Sequence, residues 1–152
     1  MSIVPIRGLF EAHLTVSDLD RSIAFYRDVL GLPLAYRLPE RNVAFMWVPT
    51  SERGMLGLWS IGSSPLRMRL HIAFDVALPQ VFESVAALRR AGLTPRAGGG
   101  EAPIDEPVVL AWMPAASVYF DDPDGHSLEF ISMLDAAPRP DLGRVPWSSG
   151  GG

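Results

Sequence analysis

The chain has 152 residues, 48% of them hydrophobic and 20% charged, with a formal net charge of -4: enough for one domain with its own core, and the wrong sign for nucleic acid or an anionic membrane surface. It has no cysteine, which excludes disulfides, thiolate ligands and a cysteine nucleophile, so any metal must be held by His, Asp or Glu. No run approaches the ~18 apolar residues of a membrane span and no basic-then-apolar leader opens the chain, so a cytoplasmic protein is expected.

Residues 9–16 alternate: Phe10, Ala12, Leu14 and Val16 make an apolar face, and Glu11, His13 and Thr15 share the other. Ser17 or Asp18 then caps a helix on which Leu19, Ile23, Tyr26, Val29 and Leu30 recur at helical spacing, and Gly31 stops it. Strands are read at 34–38, 43–48 and 55–61, the last two flanking a turn at 49–54. A linker at 63–66 follows.

The same order then restarts. Residues 68–76 alternate, with Met68, Leu70, Ile72, Phe74 and Val76 on one face and Arg69, His71, Ala73 and Asp75 on the other. Pro79 suits the first turn of a helix bearing Val81, Phe82, Val85 and Leu88, which Gly92 ends. A mobile loop is expected at 98–107, then strands at 108–113, 117–121 and 127–133. Pro123 and Gly125 fit a tight turn between the last two, beyond which Leu128 and Phe130 point one way and Ser127, Glu129 and Ile131 the other. The segment from 136 on, with Pro138, Pro140 and Pro146, reads as an extended arm with a frayed end; Arg139, Arg144 and Trp147 are its candidates for covering a ligand site.

The chain is therefore an internal repeat, each copy a strand, a helix and about three strands, with His13 and His71 at matching positions on the two first strands. Glu129 is a carboxylate on a mainly apolar strand and needs a hydrogen bond, a basic residue or a metal. Taken singly, each histidine reads as a hydrogen-bonded structural residue, and Glu129 as the partner of Arg67 or Arg69. His126, at the exit of the turn, reads as structural or solvent-facing.

The paired modules, the phrase His13-Leu14-Thr15-Val16-Ser17-Asp18-Leu19 before Ile23-Ala24-Phe25-Tyr26, and Tyr119-Phe120-Asp121-Asp122-Pro123-Asp124-Gly125-His126 before Glu129 resemble the vicinal oxygen chelate superfamily. That group includes glyoxalase I, extradiol dioxygenases, fosfomycin-resistance enzymes and bleomycin-resistance proteins. The resemblance implies an α+β fold of two βαβββ modules, 7–62 and 67–134, forming a curled mixed sheet around a cavity in one domain, 1–134, with 135–152 as a partly disordered arm. It also implies metal ligands on the two first strands and the last strand: His13, His71 and Glu129. Two imidazoles and a carboxylate on strand faces opposite apolar ones form a set for divalent Fe, Mn, Zn or Ni with positions open for water and substrate.

Enzymes resembling glyoxalase I carry a fourth ligand, usually Glu, on the last strand of the first module, and the position matching it is Gly57. Thr15 and Tyr119 fall at positions like those of fosfomycin-type enzymes, but the loop 111–116 lacks the cations a phosphonate needs. For dioxygenation, only Tyr119 is at hand as acid or base. The expected function is a metal-dependent enzyme acting on a small, partly apolar, oxygen-chelating substrate, by glyoxalase-like lyase or isomerase chemistry or by dioxygenation. The alternative is a non-catalytic ligand-sequestering protein. Tyr119 leads as acid or base, Thr15 is an orienting hydroxyl and Glu11 a further base. Around Gly57, strand alternation puts Met55 and Trp59 on the same face, with Phe45 or Met46 and Trp47 on the neighbouring strand, as substrate wall or ordinary core. A homodimer is expected, with the site built within one chain or across two.

Overall fold

Alternation of apolar and polar residues, interrupted once per module by helical spacing, builds the same arrangement twice. The computed structural model describes residues 8–51, 53–60 and 69–150; the expected linker at 63–66 and Arg67 lie outside them. Two compact units divide the chain, Met1–Met68 and Arg69–Gly152.

In the first unit, β1 (Glu11–Thr15) leads into α1 (Leu19–Ala24), whose helical path continues through Phe25–Val29. Asp18 is the cap: its backbone is extended and its carboxylate accepts the Arg21 N–H at 2.9 Å. Gly31, at φ +69°, turns the chain out of the helix. Strands β2 (Leu34–Leu38), β3 (Val43–Trp47) and β4 (Met55–Trp59) complete a mixed sheet in the order β1-β4-β3-β2, with β1 parallel to β4. One face, carrying Leu14, Ala44, Met46, Leu56 and Leu58, is buried where α1 packs on β3 and β4. Met46 thus belongs to the core, and Phe45 and Trp47 share the other face with Met55, Gly57 and Trp59.

The second unit repeats this with β5 (His71–Asp75), α2 (Leu78–Arg90), β6 (Val108–Leu110), β7 (Ala115–Asp121) and β8 (Ser127–Met133), again with the first strand parallel to the last. Val81, Val85 and Leu88 of α2 are buried on β7 and β8, over Val118, Phe120 and Leu128. Strand β6 is shorter than the sequence suggests, because the chain turns back after Leu110, where the Met113 N–H reaches the Leu110 carbonyl. The loop read as mobile is tied down: Arg96 bridges both Pro103 and Tyr119, and the Ile104 N–H bonds the Pro95 carbonyl.

The segment read as an extended, frayed arm adds a strand. Residues Arg144–Pro146 form β9, antiparallel to β6, giving the sheet order β5-β8-β7-β6-β9. The outer edge of β6 would otherwise be unpaired, and the arm supplies its hydrogen bonds. Trp147 then meets Phe82 edge-on, 4.8 Å between ring centroids, so Phe82 faces the arm rather than the sheet. Among the described residues, no helix is long and apolar enough to cross a membrane.

The turn before β8 is fixed by one buried carboxylate. Asp122 Oδ1 accepts the N–H groups of Asp124 at 2.9 Å and His126 at 2.8 Å, and Gly125 takes φ +84°. His126 is itself buried, with Nδ1 accepting the Leu70 N–H at 3.1 Å, so its role is structural: it holds the residue before His71. Replacing Asp122 with Ala leaves these N–H groups without their acceptor and is expected to cost about 2 kcal/mol in denaturant unfolding, with Asp122→Asn, which keeps the oxygen, costing less.

Candidate functional site

In the second unit the polar face of the sheet is organised around Glu129, which is 3% exposed. On β7 across from it, Tyr119 hydrogen-bonds the carboxylate, and Ser117 donates its hydroxyl proton to Glu129 Oε1. Burial first, then the charge and hydrogen bond of Glu129, push the Tyr119 phenol well above its ordinary range, against a smaller opposing effect of Arg144. The phenol is therefore held protonated across the ordinary pH range.

His71 projects from β5 beside this carboxylate. Its Nδ1 lies 2.9 Å from the Ser127 carbonyl, which can only accept, so Nδ1 carries the proton. The Nε2 lone pair is then left facing Glu129 Oε2 at 3.1 Å. Two acceptors at that separation repel unless a proton or a cation lies between them. The Tyr119 ring stacks on the imidazole, 5.7 Å between centroids and 25° between planes. From β9, the Arg144 guanidinium sits 5.7 Å from the centre of the same phenol ring and pairs with Glu101 at 2.5 Å. Arg69, a sequence candidate for pairing with Glu129, instead binds Asp121.

The first unit uses its histidine differently. Trp59 Nε1–H donates to His13 Nδ1 at 2.7 Å, and an indole can only donate, so Nδ1 presents its lone pair. The imidazole proton is then on Nε2, directed at Glu11 Oε1, 2.6 Å away. Trp59 also stacks on the ring at 5.7 Å, and Phe45 meets it edge-on at 6.1 Å. Thr15 pairs in register with Trp59, and Trp47 with Met55, so all four wall candidates lie on the face that carries His13.

Register changes one reading. Across from His13 on β4 is Gly57, and across from His71 on β8 is Ser127. Two residues further on stand Trp59 and Glu129. The ladders open alike, with the Met55 N–H on the Phe10 carbonyl and the Ser127 N–H on the Leu70 carbonyl, so Gly57 is the counterpart of Glu129, while the counterpart of His71 is Glu11 and His13 stands two residues beyond it. A Cβ on Gly57 would lie 3.1 Å from His13 Cγ and Cδ2, so this glycine makes room for the imidazole.

Within neither unit do three His, Asp or Glu side chains converge among the described residues. The second unit brings together His71 and Glu129, and the first His13 and Glu11. The His71–Glu129 pair fits a divalent ion: a proton on Nδ1 held by a backbone carbonyl is the orientation of a ligating imidazole, and a buried carboxylate calls for a cation. Ser117 escaped the sequence reading. Ser117 was legible as the i-2 neighbour of Tyr119 on one strand face; Arg144 was named only as one of three residues of the arm.

Two units of βαβββ order, each setting a histidine of its first strand beside its last strand, define a recognisable class. The chain belongs to the Glyoxalase/Bleomycin resistance protein/Dioxygenase superfamily, whose family model matches residues 8–130. It is 31% identical over 142 residues to a lactoylglutathione lyase of Salmonella typhimurium, covering 84% of this chain and 94% of that protein. Among solved structures, an integron cassette protein from the mobile metagenome of the Halifax Harbour sewage outfall aligns with a TM-score of 0.68 and 31% identity, over 84% of this chain and 100% of its own. A lactoylglutathione lyase from Agrobacterium tumefaciens aligns with a TM-score of 0.64 and 25% identity, over 84% and 95%.

Gly57→Ala is expected to push the His13 ring off Trp59, seen as a shift of the His13 ring protons by NMR. Stability should change by no more than about 1 kcal/mol, because the imidazole has solvent to swing into.

Proposed function

We propose that the chain is a metal-dependent enzyme acting on a small, partly apolar organic substrate that chelates through two oxygens. Lyase or isomerase chemistry of the glyoxalase kind ranks ahead of dioxygenation. The observation that carries this is the His71–Glu129 pair: Nε2 and a buried carboxylate oxygen 3.1 Å apart, with Nδ1 on the Ser127 carbonyl. Similarity to lactoylglutathione lyases supports the choice of lyase. His71 and Glu129, with His13, would hold divalent Fe, Mn, Zn or Ni, within one chain or across a homodimer. When bound, such an ion supplies a Lewis acid for the substrate oxygens.

The chain's own residues supply the rest. Ser117 fixes the Glu129 carboxylate. Tyr119, kept protonated, would turn its proton from Glu129 to negative charge developing on a substrate oxygen. Phe45, Trp47, Met55 and Trp59 form an apolar wall in the first unit, with Thr15 as an orienting hydroxyl. Moving a proton between carbons needs a base, and Glu11 is the candidate carboxylate once it no longer holds the His13 proton.

A non-catalytic, ligand-sequestering protein is the second reading, favoured by the engagement of both His13 nitrogens inside the first unit. Elemental analysis separates the two, on protein purified without chelator or affinity metal. Near-stoichiometric metal, lost in His13→Ala, His71→Ala and Glu129→Ala, is expected, with Ser117→Ala weakening affinity about 10- to 100-fold. No metal after reconstitution with Mn(II), Fe(II), Zn(II) and Ni(II) would select the sequestering reading.

A further inference from the structure

Two arginines of the second unit are occupied at the end of β7: Arg69 binds Asp121, and Arg96, 3.7 Å from the same carboxylate, gives Nη1 to the Glu101 carbonyl at 2.6 Å. Arg144 is less engaged. It stands on β9 across from Leu110, and its guanidinium lies 5.7 Å from the centre of the Tyr119 ring, which stacks on His71 and hydrogen-bonds Glu129. One of its nitrogens has a hydrogen-bond partner among the described residues: Nη1, on Glu101 Oε1 at 2.5 Å. That pair is open to water, with the Arg144 side chain 36% and the Glu101 side chain 51% exposed, so it contributes little to stability.

We infer that Arg144 is a substrate-binding residue selecting a carboxylate, and that Glu101 holds its place until the substrate arrives. The preferred substrate thus carries a carboxylate apart from the two oxygens that chelate. This rests on the metal-binding reading of His71 and Glu129 above. A guanidinium whose fork is unfilled donates two parallel N–H bonds to a carboxylate, and binds it more strongly than a neutral oxygen. The exchange is local. The Glu101 backbone stays tied, its carbonyl by Arg96 and its N–H by the Gly98 carbonyl at 3.2 Å, while the side chain, already half in water, swings out. The loop leading to Glu101 offers no side chain to compete for the guanidinium. Gly98, Gly99 and Gly100 approach Arg144, Ser127 and Arg69 so closely that a Cβ would lie 2.5, 3.0 and 3.3 Å from those side chains. The backbone therefore passes beside Arg144 without filling the space in front of it.

The test is calorimetric titration of the full-length protein, with and without Zn(II), by the monohydroxamates of succinate, glutarate and adipate, each beside the analogue that ends in a carboxamide. The hydroxamate supplies two chelating oxygens, and only the far end differs within a pair. Wild type should bind the carboxylate of the best-fitting length about three- to tenfold more tightly than its carboxamide. Glu101→Gln, which removes the competing charge, should widen that preference by a further factor of about two to five. Arg144→Gln should abolish it. No preference in wild type and Glu101→Gln, or a preference that survives in Arg144→Gln, overturns the inference and leaves the ion pair as a tie between β9 and the loop. If Arg144→Gln does not fold, Glu101→Gln decides, and a preference no wider than in wild type overturns the inference. Carboxylate and carboxamide bound equally, and only with Zn(II), would remove the inference and leave the metal-binding reading standing. Hydroxamates bound no better with Zn(II) than without it would remove both.

Discussion

A buried carboxylate beside an imidazole nitrogen is the constraint around which the second unit is arranged. Glu129 is almost wholly withdrawn from water, and each oxygen has to be met by a donor or a cation. Ser117 and Tyr119 come from the neighbouring strand β7, where alternate positions share one face. His71 comes from β5, and its orientation is dictated by the backbone carbonyl of Ser127. That carbonyl is in place because β8 pairs in parallel with β5 from Ser127 on, a register pinned by His126 and the Asp122 turn. The geometry of the pair is thus a product of main-chain register, with the turn before β8 as its anchor.

Parallel pairing of first and last strand does the same in the first unit, with different chemistry at its end. Gly57 stands where the carboxylate would, and His13, two residues beyond the counterpart of His71, is held by the Trp59 indole with Nε2 directed at Glu11. The duplication conserves the strand pairing but not the residues on it: Glu11 and Gly57 occupy the places of His71 and Glu129. One half presents a buried carboxylate beside an imidazole; the other presents an aromatic cluster of Trp59 and Phe45 around His13.

Much of this was legible in the sequence, and the limits follow a physical line. Strand alternation placed Glu11, His13 and Thr15 on one face and separated Leu128 from Glu129, because the period of two is a local property. Pro123 and Gly125 announced their turn, and Gly31 and Gly92 the helix ends, for the same reason. Partnerships across strands were not legible: matching His13 with His71 missed by two residues, because the register of β1 on β4 sets Glu11 where that of β5 on β8 sets His71. Arg69 was named for Glu129 and lies on Asp121 instead. The pairing of β9 with β6 joins segments more than thirty residues apart and leaves no local signature beyond a run of prolines.

That pairing has a consequence for how the protein tolerates being shortened or extended. Val108, Val109 and Leu110 are buried, and on their outer side, among the described residues, the three residues of β9 satisfy the backbone. Outside β9 the sheet ends in a strand too short, and too marked by Arg144 and Pro146, to template another chain. A chain cut before Arg144 would expose an apolar strand with free N–H and C=O groups, an adhesive border for a second copy. The C-terminal segment, beyond the residues the family match covers, is in that sense a guard against edge-to-edge polymerisation.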